Sequence, residues 1–67
     1  MTKDEAIKAM LQGEKVSYRF FGKDEAMMLL DPVKNIYLFE DGVRIDAQSF
    51  WSIRMDEDWL EDWEIIK

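Results

Sequence analysis

A chain of 67 residues has room for one hydrophobic core, so a single domain spanning 1–67 is expected. It has no cysteine and no histidine, which removes disulfide staples, the common zinc ligands and the usual neutral-pH base. Nine basic against fifteen acidic side chains give a formal charge of −6, which opposes direct binding to nucleic acid phosphates, while 48% hydrophobic residues are too many for a disordered chain.

Thr2 stands three residues before Glu5 in the spacing of a capping box, and Ile7, Met10 and Leu11 follow on one helical stripe that ends at Gly13. These signals predict an N-terminal helix of about ten residues. The opening Thr2, Lys3, Asp4, Glu5 lacks the basic-then-apolar order of a signal peptide, and no apolar run approaches the ~20 residues of a membrane span. A cytoplasmic protein without membrane contact is the expectation.

From Lys15 to Phe21, Val16, Tyr18 and Phe20 alternate with Ser17, Arg19 and Phe21, a strand period. Gly22, Lys23 and Asp24 supply a turn. Ala26 to Leu30 is apolar on both faces, as in a strand inside a sheet covered on both sides, and Asp31-Pro32 stops it. Ile36 to Phe39 and Val43 to Asp46 flank Glu40-Asp41-Gly42, and an Asp-Gly pair between alternating segments predicts a hairpin with a two-residue type I′ loop. In that register Phe39 faces Arg44, Leu38 faces Ile45 and Tyr37 faces Asp46, so Ile36, Leu38, Val43 and Ile45 form the core face and Tyr37, Phe39, Arg44 and Asp46 the other.

Ala47 to Met55 fits a strand or an extended crossing through Phe50, Trp51 and Ile53. Asp56 is placed to cap a single helical turn carrying Trp59 and Leu60, and Trp63 to Ile66 reads as a last short strand. The fold class is therefore α+β: an N-terminal helix packed on a small antiparallel sheet of four to five strands, with a short C-terminal helical turn before the last strand.

No catalytic constellation emerges. The serines have no histidine to activate them, and three scattered glycines make no phosphate-cradling loop. Six acids between Asp56 and Glu64 do not follow the calcium-loop pattern, since Leu60 and Glu61 occupy the fifth and sixth positions counted from Asp56. A solvated face explains them. No enzyme activity, metal or cofactor is expected. Trp63 reads as core, and Trp51 divides between core and the wall of a binding site. One helix covers one face of a four-stranded sheet, whereas Met27 or Met28, Phe21, Tyr37 and Phe39 leave apolar area on the other, for which a second copy is the simplest cover. The Phe39–Arg44 pair with Tyr37 and Asp46 beside it suits an oligomer interface or a stacking surface for a planar ligand.

Two terminal motifs carry a family resemblance. The opening E-A-x-x-A-x-x-x-G-x-x-V is present as Glu5, Ala6, Ala9, Gly13 and Val16, and a closing acidic turn runs into Asp62, Trp63, Glu64, Ile65 and Ile66. Over about half the chain this resembles small phage-encoded domains, the second type of Thoeris anti-defence proteins and their uncharacterised relatives. The resemblance implies a helix on an antiparallel sheet, assembly as a homodimer or homotetramer, and sequestration of a cyclic ADP-ribose-type immune signal in the host cytoplasm. Where relatives carry an arginine and then a tryptophan after the helix, Tyr18 and Phe21 stand nearest, with Arg19 displaced by one. The ligand site that follows from it has Phe21, Tyr37 or Trp51 stacking on the base, with Arg19 or Arg44 facing the pyrophosphate. Two other readings stand beside it: an acidic inhibitor or nucleic-acid mimic that docks on a basic surface of a host protein, and an interaction module with no ligand.

Overall fold

A computed structural model describes residues 1–22 and 25–66, so the turn expected at Lys23 and Asp24 lies outside the described residues. Helix α1 (Lys3–Leu11) leads into β1 (Lys15–Tyr18), β2 (Met27–Asp31), β3 (Ile36–Phe39) and β4 (Arg44–Asp46), followed by helix α2 (Ala47–Ser52), a 3-10 turn (Glu57–Trp59) and β5 (Trp63–Ile66). The strands form one antiparallel sheet in the order β4-β3-β2-β1-β5. The fold is α+β as expected, with the apolar strand β2 at the centre of the sheet.

The capping box closes as its spacing predicts. Thr2 Oγ1 accepts from the Glu5 N–H at 3.2 Å, and the Glu5 carboxylate accepts from the Thr2 N–H at 2.9 Å. The buried stripe differs from the expected one: Ala6, Ala9 and Met10 face the sheet, while Leu11 stays 64% exposed. Two alanines let the helix lie close to the strands, and Leu11 falls on the rim of that contact. Strand β1 also ends earlier than expected, at Tyr18. There the Arg19 N–H donates to the Asp62 carbonyl and the Phe21 N–H turns back to the Tyr18 carbonyl, both at 2.9 Å.

The hairpin exists, but its register corrects the expected one. Tyr37 pairs with Ile45 and Leu38 with Arg44, because the loop has three residues. The Gly42 N–H donates to the Phe39 carbonyl and the Phe39 N–H to the Val43 carbonyl, both at 2.9 Å. Only Gly42 takes a positive φ, +89°, with Asp41 outside that region. This is a type I turn followed by a left-handed glycine, not a type I′ loop. A slip of one residue against β4 turns β3 over. Tyr37 and Phe39 therefore join Ile45 in the core, while Ile36 and Leu38 join Arg44 on the other side.

Ala47 to Met55 contains a helix rather than a strand. The Asp46 carboxylate caps it by accepting from the Ser49 N–H at 2.9 Å. Ala47, Phe50, Trp51 and Arg54 then recur with helical spacing, and the presumed strand residue Ile53 is solvent-exposed. After it the 3-10 turn begins beyond Asp56 as expected, although the Asp56 side chain makes no capping hydrogen bond.

All of these elements cover one side of the sheet. Val16, Met27, Tyr37 and Trp63 from the strands meet Ala6, Met10, Ala47 and Phe50 from the helices. Phe50 and Val16 are fully buried and Trp63 is 2% exposed. Each large side chain so buried contributes about 1.5–3 kcal/mol.

Candidate functional site

The helix-covered side is filled by aromatic rings. Tyr18 stacks on Trp59 with centroids 4.2 Å apart, and Phe21 meets Trp63 edge-on at 5.7 Å. Tyr37 meets Phe50 at 5.6 Å, and Trp51 packs on both Phe50, at 4.8 Å, and Trp63, at 5.5 Å. Polar handles inside the cluster are used internally: Trp51 Nε1 donates to the Tyr37 hydroxyl at 2.9 Å, Trp63 Nε1 to the Trp59 carbonyl at 2.9 Å, and the Tyr18 hydroxyl to the Asp58 carbonyl. Burial, reinforced by the Asp58, Asp62 and Asp56 carboxylates, pushes the Tyr18 phenol above its ordinary value. Burial does the same for Tyr37, against the opposing effect of the Trp51 N–H. Both phenols are therefore neutral at physiological pH and serve as packing groups with a hydrogen-bonding tip.

The five residues expected to bind ligand are thus distributed over different surfaces. Phe21, Tyr37 and Trp51 belong to the aromatic cluster, with Trp51 half-buried beneath the Lys3 ammonium at 4.4 Å. Arg19 lies exposed just beyond β1, 3.8 Å from an Asp62 carboxylate oxygen and over the exposed Phe20 ring at 5.2 Å. Arg44 sits on the side of the sheet that no helix covers, opposite Leu38. The expected grouping of Arg44 with Tyr37 and Phe39 is corrected by the hairpin register. Trp63 is core, as its position predicts.

That open side has its own composition. A row of side chains crosses all five strands at one level: Arg44 on β4, Leu38, Met28, Lys15 and, on β5, Ile66. Ile36 and Leu30 extend the apolar strip, Leu30 being 40% and Ile66 38% exposed. Lys15 is bound to Glu40 at 3.0 Å. The expected apolar excess on this side is therefore present but made of aliphatic residues and methionine, because Phe21, Tyr37 and Phe39 turn the other way.

Two recesses of about 480 Å³ each flank the sheet, one beside β1 and β5 and the other beside β4 and the turn between β2 and β3. One brings Arg19 and Phe21 together beside Ser17, but Glu25, Glu40 and Glu64 line it as well, so it disfavours an anion. The other is formed by Arg44, Lys34, Leu30, Pro32, Ile36 and Asp31. Here the Asp31 carboxylate is occupied: its Oδ1 accepts from the backbone N–H groups of Val33 and Lys34, each at 3.0 Å. Among the described residues no carboxylate oxygen comes within 4.0 Å of the charged groups of Arg44 or Lys34. Sequence reasoning does not single out Lys34, and the one signal for it is its place in the turn after Pro32, two residues before β3.

Among the described residues no group of three carboxylates is placed to hold a metal ion, and no helix is long and apolar enough to cross a membrane. Comparison with known protein families, curated proteins and solved structures gives no match.

Proposed function

We propose that this chain is a non-catalytic binding protein that sequesters a nucleotide signal of the cyclic ADP-ribose type and works as a homo-oligomer, in the manner of the phage counter-defence proteins its terminal motifs resemble. The observation that carries the reading is the Arg44–Lys34 recess. On a molecule of net charge −6 it offers two cations beside the apolar surface of Leu30, Pro32 and Ile36, with a single carboxylate, Asp31, whose Oδ1 is held by backbone N–H groups. A pyrophosphate suits the cations, which bind phosphate oxygens by charge-assisted hydrogen bonds. The purine rests on the aliphatic strip, since the aromatic rings expected to stack on it are occupied in the core.

Thermal melting with a panel of cyclic ADP-ribose isomers and cyclic dinucleotides tests this. A ligand at 100 times its dissociation constant adds about 2.7 kcal/mol, which for so small a domain raises the melting temperature by roughly 10 °C or more. Lys34→Gln should reduce that shift without altering the melting temperature of the free protein. No shift with any member at millimolar concentration would reject the nucleotide reading.

One observation favours the acidic-inhibitor reading: Asp56, Glu57, Asp58, Glu61, Asp62 and Glu64 are all exposed, and among the described residues Arg19 alone pairs with any of them. Capture of a basic host protein that is lost when salt shortens the Debye length from ~8 to ~3 Å would support it.

A further inference from the structure

We propose that the Asp31 carboxylate reads the ribose in the Arg44–Lys34 recess, so that the site takes nucleotides whose sugar hydroxyls are free and rejects those with a phosphate on the ribose. The assignment rests on the nucleotide reading of this recess and names which nucleotides enter it.

A carboxylate among phosphate-binding cations needs a physical reason, because it cancels part of the attraction that Arg44 and Lys34 supply on a chain of net charge −6. Forming the turn accounts for one of its oxygens. Oδ1 accepts from the Val33 and Lys34 N–H groups, each at 3.0 Å, which holds the half-buried side chain in one orientation. Among the described residues Oδ2 has neither a hydrogen-bond donor nor a cation within 4.0 Å, and it is open to solvent. The nearest acid on the same face is engaged elsewhere: Asp46, across Ile36 from Asp31, caps α2 through the Ser49 N–H and does not line the recess.

Asp31 on β2 and Arg44 on β4 stand two strand spacings apart with β3 between them, about 10 Å at ~4.8 Å per strand. A nucleotide presents the matching sequence of groups, an anionic pyrophosphate joined through one methylene to a sugar that carries hydroxyl donors. Guanidinium and ammonium groups only donate and suit phosphate oxygens, whereas an ionised carboxylate only accepts and suits a hydroxyl. The bond from a hydroxyl to Oδ2 is charge-assisted, and the two N–H bonds at Oδ1 reduce the cost of ordering the acceptor. A phosphate ester at that position meets the same carboxylate as a like charge. Dinucleotide sites divide in the same way, with an acid on the free ribose hydroxyl and an arginine where the ribose is phosphorylated.

Calorimetric titration with cyclic ADP-ribose and cyclic ADP-ribose 2′-phosphate tests the assignment. Wild-type protein should bind the first about tenfold or more tightly than the second. Asp31→Asn keeps an oxygen for the Val33 and Lys34 N–H groups and replaces the other with an amide that donates. The melting temperature of the free protein should stay close to wild type, while the preference falls to about threefold or less once the charge is gone. Lys34→Gln should weaken both compounds in similar proportion. Equal binding of the two compounds by wild type, or an undiminished preference in Asp31→Asn, would overturn the role of Asp31 and leave the nucleotide reading standing. Failure of both compounds to bind wild-type protein removes the nucleotide reading and this assignment together.

Discussion

Substitutions in the β3–β4 loop distinguish the three-residue turn from the two-residue turn that an Asp-Gly pair suggests. Gly42 has φ +89°, and a Cβ added there would meet nothing within 4 Å. Gly42→Ala therefore carries no clash, only the cost of holding an L-residue in the left-handed region, about 1–2 kcal/mol. For a domain of this size each kcal/mol lowers the melting temperature by roughly 4–8 °C, so a fall of about 5–15 °C is expected. Asp41 gives the opposite sign in the two geometries. In a type I′ turn it would have positive φ, and glycine would relieve strain. Here its φ is not positive, and its Oδ1 accepts from the Val43 N–H at 3.1 Å. Asp41→Gly thus loses a hydrogen bond and adds freedom to the unfolded chain, a destabilisation of roughly 1 kcal/mol. Urea denaturation followed by circular dichroism measures both. Stabilisation by Asp41→Gly, or an unchanged midpoint for Gly42→Ala, would refute the three-residue loop.

Tyr37→Phe should cost about 1–2 kcal/mol by leaving the Trp51 indole N–H without its acceptor in a half-buried site, read as a lower denaturation midpoint together with a changed tryptophan emission. The Glu5 carboxyl, held low chiefly by the Thr2 N–H and then the Thr2 hydroxyl, and the Asp46 carboxyl, held low by the Ser49 N–H and then the Ser49 hydroxyl, have folded values below their unfolded ones. Their contribution is complete above the ordinary carboxylate range and is lost as pH falls through the folded values, so Asp46→Asn should flatten the acid limb of a stability–pH profile. Tyr18 and Tyr37 have the reverse sign: raised values leave stability intact below pH about 10 and erode it above, visible as cooperative unfolding in a phenolate absorbance titration.

The elements legible in the sequence were those set by neighbours in the chain. Thr2 and Glu5 close a capping box by local geometry alone, and Trp63 to Ile66 forms a strand where its pattern places one. The hairpin shows the limit of local signals. Asp41-Gly42 is compatible with loops of two or three residues, and that single residue decides whether Tyr37 or Leu38 faces the helices. The consequence reaches the candidate site, since the two-residue register groups Arg44 with Tyr37 and Phe39, which the three-residue register turns toward the helices. Helix α2 was hidden for another reason: six residues give too little periodicity to outweigh Phe50 and Trp51, which favour strands on propensity, and the deciding group is the Asp46 cap. Lys34 acquires meaning only when β2 and β4 bring Leu30 and Arg44 beside it.

The one-sided placement of the aromatic rings separates what keeps this protein folded from what it presents to others. Trp63, Phe50, Tyr37 and their neighbours hold the structure from behind the sheet, and Arg44, Lys34, Leu38 and Glu64 on the exposed side contribute little to it. Variation is correspondingly cheap at those positions. That surface can change one residue at a time while the ring cluster behind the sheet stays intact and each intermediate still folds.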